Sequence, residues 1–565
     1  MRALCCDSQR CLYDRYAQAH LPSDDIYPGI TIDASSVSAS PVTNYSVSGQ
    51  YFYPDDTFGY CNVNVSYSHD GLEDTVALTW LPTPDKFQNR WLSTGGGGYA
   101  INSGSSSVPG GIVYGAAAGY TDGGFGMFQD DAIEVFLIEN GTINWHNIYM
   151  FGYQAHHELS AIGKAFTKNF FNMSDAKLYV YYQGCSEGGR EGWSQIQRFG
   201  DEWDGAVVAA PAFRFSFQQV QHLYSNVVEQ SLNYKPPPCE LTKIVNETIK
   251  ACDSLDGETD GVVSRTDLCK LNFDIASLIG TPYYCAAAAA TSGQGGSAAT
   301  PVQNGTIAAQ GEAVAKEILK GIRDSEGEQV YFSYTISSTF SDATTVWNST
   351  SNQWEISITS LGGSFVEVLL DLKNGSNIDS LSGVTYDTLC DWIWEGWNRY
   401  ADSLQTNWPD LTPFNKAGGK IIHFHGESDF SIPSTSSVYY HESVRKIMYP
   451  DLSFNDSTAA LSDWYRLFLV PGAGHCAPSS TQPNGPWPQT SLQNLIDWVE
   501  NDIVPTTLNA TVLQGDNIGQ NQQLCAWPLR PLWTGPNGTS MECIYDQTSI
   551  DSWKYNLTAF KMPVY

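Results

Sequence analysis

Charged side chains are scarce in this chain of 565 residues, and basic ones are the scarcest. Asp, Glu, Lys and Arg together make up 16% of the residues, and 29 basic side chains stand against 60 acidic ones, a net charge of −31. Such a surface repels phosphate backbones and anionic lipids. We therefore expect neither a nucleic-acid partner nor binding to an anionic membrane surface.

Long hydrophobic runs are also missing. No stretch approaches the ~20 apolar residues that a membrane-spanning helix needs, so we expect no membrane span. The segment from Met1 to Ser8 has no apolar run of the kind found in signal peptides. We expect that a secretory leader is missing from this sequence.

Cysteines, in contrast, are plentiful. The chain has 13 of them, together with twelve Asn-x-Ser/Thr sequons. Disulfides and N-linked glycans belong to the oxidising secretory route, so we predict a secreted, extracellular glycoprotein. The sequon asparagines are Asn44, Asn64, Asn140, Asn172, Asn246, Asn304, Asn348, Asn374, Asn455, Asn509, Asn537 and Asn556.

Hydrophobic periodicity indicates an α/β architecture. A helical pattern at 152–166 is followed by an apolar strand at 177–183, and strand patterns return at 419–426 and 465–470. We predict a hydrolase core formed by residues 1–212 and 416–565. Residues 213–415 differ in composition from these two parts. We predict that they form an inserted lid domain, with a linker rich in Ala, Gly and Ser at 286–303.

The strand at 177–183 leads into Gly-Cys-Ser-Glu-Gly at 184–188. This pattern matches the nucleophile elbow, in which a sharp turn between a strand and a helix exposes a serine. The pentapeptide alone is weak support, but the preceding strand is the context that the motif requires. We interpret Ser186 as a catalytic nucleophile.

A serine nucleophile needs a base and an acid. His475 stands in a glycine-rich loop after the strand at 465–470, and Asp429 follows the strand at 419–426, so the order Ser, Asp, His agrees with this class of hydrolase. Glu427 is the local rival, as a surface turn residue or a substrate contact. Cys185 and Cys476 directly adjoin Ser186 and His475, and we predict a disulfide between them.

The glycine run at 95–98 follows an early strand. It could be a plain turn, or its backbone N–H groups could help to bind an oxyanion together with the N–H of Glu187. We favour the second interpretation and take Gly96 and Gly97 as the candidate donors.

Acidic residues cluster within the predicted lid, at 252–262. Three aspartates within ten residues could direct carboxylate and carbonyl oxygens at a calcium ion, although the spacing is not that of an EF-hand. The alternative is a simple cluster of Asp-Gly turns. Cys252 and Cys269 are predicted to close this loop as a disulfide.

Five motifs together resemble the tannase and feruloyl esterase family. They are Gly-Cys-Ser-x-Gly-Gly-Arg-x-Gly at 184–192, Ala-Pro-Ala at 210–212, Cys-Asp-x-x-Asp-Gly-x-x-Asp-Gly-Val at 252–262, His-Gly-x-x-Asp-x-x-Ile-Pro at 425–433 and Pro-Gly-x-x-His-Cys at 471–476. The resemblance covers nearly the whole chain, and it implies an α/β-hydrolase core with a large lid and the triad Ser186, Asp429 and His475.

The resemblance also implies a metal site and a set of disulfides. A structural Ca²⁺ would be bound by side chains of Asp253, Asp256 and Asp260 and by backbone carbonyls of Glu258 and Val262. The remaining implied pairs are Cys11–Cys61, Cys239–Cys285, Cys252–Cys269 and Cys525–Cys543, which leaves Cys5, Cys6 and Cys390, the last expected as a buried free thiol.

The expected activity is hydrolysis of galloyl esters and depsides of tannins, a small-molecule or polyphenolic substrate, with release of gallic acid. Two alternatives remain open. One is a feruloyl esterase that releases ferulic or related hydroxycinnamic acids from plant cell-wall polysaccharide. The other is a non-catalytic secreted glycoprotein that retains the hydrolase fold, against which the intact Ser, Asp and His argue.

Overall fold

A single large sheet organises the molecule in the computed structural model, which describes residues 10–71, 75–126, 132–290, 299–534 and 540–565. Nine strands form this sheet. In chain order they are β1 (Ile30–Val47), β2 (Asp56–His69), β3 (Thr75–Pro82), β4 (Arg90–Thr94), β5 (Ala116–Thr121), β6 (Tyr179–Cys185), β7 (Gly205–Ala209), β8 (Lys420–Gly426) and β9 (Tyr465–Val470).

The spatial order of the strands is β1-β2-β3-β5-β4-β6-β7-β8-β9. The first three strands form an antiparallel meander that also pairs β3 with β5, and every pairing from β5 through β4 to β9 is parallel. In the parallel part, the carboxyl ends of β6 and β8 lie at one edge of the sheet. Loops that carry functional groups collect at that edge in open α/β sheets.

Helices cover both faces of the sheet and build the insertion. They are α1 (Arg10–Gln18), α2 (Pro109–Val113), α3 (Trp145–Tyr149), α4 (Ala155–Phe170), α5 (Glu187–Arg198), α6 (Phe215–Ser231), α7 (Pro238–Cys252), α8 (Thr266–Asn272), α9 (Ala309–Ile318), α10 (Ser360–Ser364), α11 (Tyr386–Arg399), α12 (Thr412–Ala417), α13 (Ser434–Met448), α14 (Phe454–Ser462), α15 (Ser491–Asn501) and α16 (Gln547–Ser552). Within the described ranges, none of them has the length and apolarity to cross a bilayer.

Successive side chains of the buried strands point to opposite faces of the sheet, and each face contributes to a separate apolar core. Trp91 and Tyr182 point into one apolar cluster, and their chain neighbours Leu92 and Tyr181 point into the other. Because side chains alternate with period two, both faces of these strands must be apolar when helices cover both sides. This explains the continuous apolar runs seen in the sequence.

Residues 213–415, called the inserted segment below, contribute no strand to the main sheet in the part that is described. Their apolar cluster is built around α6 and α11, but it also includes Phe136 and Phe151 from the N-terminal part and Leu557 from the C-terminal part. The inserted segment therefore shares a core with its surroundings. The boundaries at 212 and 416 stay predictions, and residues 291–298 of the predicted linker lie outside the described residues.

Short strand pairs complete the fold. Their bounds are Leu137–Glu139 with Thr142–Ile143, Pro282–Cys285 with Gln303–Thr306, Thr345–Asn348 with Gln353–Ile356, Arg530–Thr534 with Ser540–Ile544, and a three-stranded set of Pro486–Trp487, Thr507–Val512 and Asn521–Cys525.

Four predicted disulfides are present: Cys185–Cys476, Cys239–Cys285, Cys252–Cys269 and Cys525–Cys543. The pairing of Cys61 with Cys11 stays a prediction, because the side chain of Cys11 lies outside the described residues, as do Cys5 and Cys6. Cys390 is a free thiol, as expected, but it is only half-buried.

Candidate active site

Ser186 occupies the turn between β6 and α5. Its backbone has φ 63° and ψ −125°, a left-handed conformation that a side chain rarely adopts. The turn is tight enough that a Cβ on Gly184 would lie 2.5 Å from the carbonyl oxygen of Gly188. The two glycines of the motif are therefore required by the close approach of the backbone, and the elbow predicted from the sequence is the one observed.

The predicted base and acid converge on this serine. His475 Nε2 lies 2.8 Å from Ser186 Oγ, and His475 Nδ1 lies 2.9 Å from Asp429 Oδ2. Both are hydrogen-bonding distances. The imidazole can therefore take the serine proton at one nitrogen while the carboxylate holds the other.

Asp429 is buried and firmly held. Its Oδ1 accepts backbone N–H groups from Ser431 and Ile432 at 2.8 and 2.9 Å. Burial alone would raise its pKa, but the charge of His475 and the hydrogen bonds from His425 and His475 outweigh burial and hold the pKa of this carboxyl well below its usual value. Asp429 is thus ionised throughout the pH range in which an esterase works.

Glu427, the rival acid, lies elsewhere. It is fully buried, and its Oε2 accepts hydrogen bonds from Thr266 Oγ1 at 2.5 Å and from Arg530 Nη2 at 2.7 Å. It does not reach His475. The interpretation of Glu427 as a surface turn residue is wrong, because its side chain is fully buried, and a substrate contact by Glu427 stays a prediction.

Two of the three predicted oxyanion donors already have hydrogen-bond partners. The N–H of Gly96 donates to Glu191 Oε2 at 2.8 Å, and the N–H of Gly97 donates to the carbonyl of Ala100 at 3.1 Å. A backbone amide has one proton, so Gly96 and Gly97 are not the free donors that the sequence suggested. The N–H of Glu187, the first residue of α5, has no partner among the described residues and stays the candidate donor.

A buried group that the sequence did not reveal braces the glycine loop. Glu191 of α5 accepts the Gly96 N–H with one oxygen, and its other oxygen lies 3.0 Å from Nε2 of His156 on α4. All of these side chains are fully buried. Only its position on the helix that follows Ser186 could have pointed to Glu191.

The side chain of Glu187 serves the elbow in a different way. It pairs with Arg190, one turn later on α5, and Arg190 also donates to the carbonyls of Phe151 and Gly152 at 2.9 and 2.8 Å. Burial raises the pKa of Glu187 to about 7, although the charge of Arg190 opposes the shift. The ion pair thus anchors the start of α5 below the nucleophile.

A cavity of about 420 Å³ opens beside the nucleophile. Its walls carry Ser186, His475, the glycine run 95–98, and a mixture of aromatic and hydroxyl side chains from 50–53 and 103–107. The volume is within the range of small-molecule sites, ~300–1,000 Å³. The disulfide Cys185–Cys476 forms part of its wall, with its two Cα atoms 6.0 Å apart.

The acidic loop lies apart from this cavity. Oδ1 of Asp253 accepts N–H groups from Asp260 and Gly261, and Oδ1 of Asp260 accepts that of Val262, so the loop is folded around its own carboxylates. Burial and the negative charges of Glu258, Asp256 and Asp253 raise the pKa of Asp260 to about 7. Oε2 of Glu258 is buried without a partner in the described part of the chain.

Those charges repel one another, and a cation would relieve the repulsion. In the described residues, no three His, Cys, Asp or Glu side chains converge as a complete metal site by themselves. The three aspartates of the predicted set therefore do not form such a site without the two backbone carbonyls. All five predicted donors are oxygens, the kind that calcium prefers, and calcium binding stays a prediction.

A serine on a strand–helix elbow, followed in the chain by an aspartate and a histidine after later parallel strands, defines a serine hydrolase of the α/β-hydrolase class. The profile of the family described as "Tannase and feruloyl esterase" matches residues 61–550. The chain belongs to this family and is a carboxylic ester hydrolase.

Individual members of the family differ in how similar they are to this chain. A tannase of Aspergillus oryzae is 50% identical, over 97% of this chain and 95% of the relative. The structure of a tannin acyl hydrolase from Aspergillus niger is 61% identical and covers 98% of both chains with a TM-score of 0.95. A probable feruloyl esterase of Arthroderma benhamiae is 29% identical, over 87% of each chain.

Proposed function

We propose that this chain is a tannin acyl hydrolase that cleaves galloyl ester and depside bonds and releases gallic acid. The observation that carries the proposal is the hydrogen-bonded series Ser186, His475 and Asp429, with distances of 2.8 and 2.9 Å. The acyl group is suggested by similarity, since identity to the tannases is 50% and 61% but only 29% to the probable feruloyl esterase.

The reaction proceeds by acyl transfer. His475 Nε2 takes the hydroxyl proton of Ser186 as Oγ attacks the ester carbonyl carbon. Collapse of the tetrahedral intermediate breaks the bond to the alcohol or phenol oxygen, and His475 returns the proton to that oxygen. A water molecule then repeats the sequence on the galloyl-enzyme and frees gallate and Ser186.

Two features lower the barrier. Asp429 holds Nδ1 of His475 and stabilises the imidazolium that forms after proton transfer. The N–H of Glu187 stands at the N-terminus of α5, where the helix dipole favours negative charge, and it donates to the developing oxyanion. Because the N–H groups of Gly96 and Gly97 are occupied, their loop contributes shape rather than these two donors.

A structural calcium ion belongs to the proposal. Asp253, Asp256 and Asp260 would bind it by side chain, and Glu258 and Val262 by backbone carbonyl. Burial and, to a smaller extent, neighbouring carboxylates raise the pKa of Asp260, Asp256 and Glu258, and the ion would neutralise those charges. Its function would be to hold the loop between Cys252 and Cys269, which leads directly to Thr266 and its contact with Glu427.

We also propose that the enzyme is extracellular and carries N-linked glycans. Four disulfides support an oxidising compartment, and so do twelve sequons. The proposed partners are therefore an ester of a phenolic acid and the glycans themselves.

One kinetic comparison tests the substrate. We expect a higher kcat/KM on methyl gallate than on methyl ferulate, and the reverse order would make the chain a feruloyl esterase.

We expect Ser186→Ala to lose roughly three to six orders of magnitude in kcat, whereas Ser462→Ala, on the distant helix α14, leaves it unchanged. Failure of a fluorophosphonate probe to label Ser186 in the folded protein would point instead to a non-catalytic hydrolase fold.

A further inference from the structure

A second histidine binds the acid of the triad. His425, at the end of β8, is fully buried, and its Nε2 lies 3.1 Å from Oδ2 of Asp429 and 3.0 Å from the carbonyl oxygen of Ile432. Both neighbours accept hydrogen bonds and neither donates. Nε2 of His425 must therefore carry a proton, and the tautomer of this ring is determined by its surroundings.

Behind His425 the hydrogen bonds continue through three further side chains. His425 Nδ1 lies 2.6 Å from Ser437 Oγ, Ser437 Oγ lies 2.8 Å from His423 Nε2, and His423 Nδ1 lies 2.9 Å from the hydroxyl of Tyr465. These four residues are called the relay below. All four are buried, on β8, on α13 and on β9.

The donors and acceptors of the relay run in one direction. In a neutral His425, Nδ1 accepts the hydroxyl proton of Ser437. The oxygen of Ser437 then accepts Nε2–H of His423, and Nδ1 of His423 accepts the hydroxyl proton of Tyr465. Every donor along the relay meets at least one acceptor, as buried polar groups require.

A charged His425 would break this order. Its second N–H would point at Ser437, which already accepts from His423, and the serine proton would lose its acceptor. Burial also keeps the pKa of His423 well below its usual value, so this ring stays neutral as well. The neutral arrangement is thus the one that satisfies all four groups.

We propose that His425 is a positioning residue for the catalytic acid, and that the relay from Tyr465 keeps its N–H directed at Asp429. The inference rests on the triad of the proposed function but not on the identity of the acyl group. Oδ2 of Asp429 receives Nδ1 of His475 at 2.9 Å and Nε2 of His425 at 3.1 Å, so the two histidines share one oxygen.

Sharing that oxygen has two effects. The bond from His425 fixes the rotation of the carboxylate, and it disperses part of the negative charge that acts on His475. Without it, the carboxylate would hold the proton on His475 more strongly, so His475 would become a free base only at higher pH. The acidic limb of the kcat/KM profile would then move upward in pH.

Other titratable or charged groups surround the relay from neighbouring elements. The hydroxyl of Tyr334 donates to Asp342 Oδ2 at 2.8 Å, Arg214 donates to Ser436 Oγ at 2.7 Å, and the ring of His441 packs on that of Tyr465 with centroids 4.8 Å apart. Glu427 is paired with Arg530. Among the described residues, only His425 and His475 donate side-chain hydrogen bonds to Asp429.

Three variants test the proposal on the full chain. His425→Phe removes the hydrogen bonds to Asp429, Ile432 and Ser437. His425→Gln keeps an N–H donor, and Ser437→Ala interrupts the relay one step behind His425. The matched control is His157→Gln, because His157 also pairs with a carboxylate, Glu202 at 3.0 Å, but lies on α4 away from the relay.

With methyl gallate, or methyl ferulate if that is preferred, we expect His425→Phe to lower kcat about 10- to 100-fold, as loss of an orienting partner does elsewhere, with KM unchanged. Its acidic limb should move up by ~0.5–1 pH unit. His425→Gln should have a higher kcat than His425→Phe. Ser437→Ala should have a kcat roughly 5-fold below that of the unmodified chain, which corresponds to the loss of one hydrogen bond. His157→Gln should match the unmodified chain.

Labelling by fluorophosphonate distinguishes a failure of the proposed triad from a failure of the positioning role. If the unmodified chain is not labelled at Ser186, the triad itself is wrong. If folded, labelled His425→Gln and Ser437→Ala both keep the kcat and the acidic limb of the unmodified chain, the positioning role is overturned, even where His425→Phe does not fold. A loss of kcat in folded His425→Phe with no movement of its acidic limb would also overturn it, because it would indicate general loosening of the core.

Discussion

Cys185 and Cys476 are joined by a disulfide although they are 291 residues apart in the chain. Cys185 directly precedes Ser186, and Cys476 directly follows His475, so one covalent bond links the segments that carry the nucleophile and its base. The side chains of those two residues lie 2.8 Å apart. The disulfide thus limits how far Ser186 and His475 can separate, which preserves the near-attack geometry.

We expect the double variant Cys185→Ser/Cys476→Ser to lose both stability and turnover. The chain-entropy relation gives roughly 6 kcal/mol for so long a loop and roughly 3 kcal/mol for the 18-residue separation of Cys525 and Cys543. Cys525→Ser/Cys543→Ser is therefore the control: it should lose stability but keep kcat. Thermal unfolding and methyl gallate kinetics measure the two effects, and normal kcat in the first variant would reduce this disulfide to ordinary stabilisation.

Removal of calcium should destabilise the enzyme. The carboxylates of the acidic loop repel one another when no cation lies between them, so a chelator should lower the Tm of the unmodified chain, and Asp260→Asn should lower it without further response to chelator. Asp379→Asn, an exposed aspartate of the inserted segment, should behave like the unmodified chain. Metal analysis of the purified protein gives an independent readout, and the absence of both calcium and a chelator response would refute the site.

Arg530 should be indispensable to the turn that carries Asp429. Its Nη2 lies 2.7 Å from Glu427 and 3.2 Å from Asp267, and all three side chains are buried. Arg530→Met would leave the buried carboxylate of Glu427 without its cation, which costs about 3–5 kcal/mol, whereas Asp267 would keep Arg265 at 2.8 Å. Adding Glu427→Gln should restore part of that loss in denaturant unfolding. Equal stability of Arg530→Met and the unmodified chain would contradict this account.

Stability should fall as the pH rises from mildly acidic to alkaline values. Burial raises the pKa of Glu229, on α6, to about 8, against an ordinary value of ~4.3. Between these values the folded state binds the extra proton, so stability decreases as pH rises through this window and levels off above about pH 8. Glu229→Gln should flatten the change in Tm between pH 5 and 8. Glu326→Gln, an exposed residue, should not.

Local sequence patterns were sufficient to predict those parts of the site that depend on neighbours in the chain. The elbow around Ser186 could be predicted because a tight turn requires Gly184 and Gly188, and both appear as letters. The strands ending near Asp429 and His475 could be predicted from their apolar side chains, although β8 also buries His423 and His425. The sequence could not exclude Gly96 and Gly97 as oxyanion donors, because the partners of their N–H groups, Glu191 and Ala100, depend on how the loop folds.

The sequence by itself determined the class of the enzyme, its three reacting side chains and the disulfide beside them, since motif, order and adjacent cysteines are properties of the chain. Cys239–Cys285 and Cys525–Cys543 were implied only by the resemblance to the family. Tertiary structure alone decided which groups serve those residues. Glu427 became an ion-pair partner of Arg530, and His425 became a donor to Asp429. The physical reason is that hydrogen bonds and charge pairs are made by atoms that meet in space, and residues as distant in the chain as 427 and 530 meet only when the sheet and the inserted segment have packed.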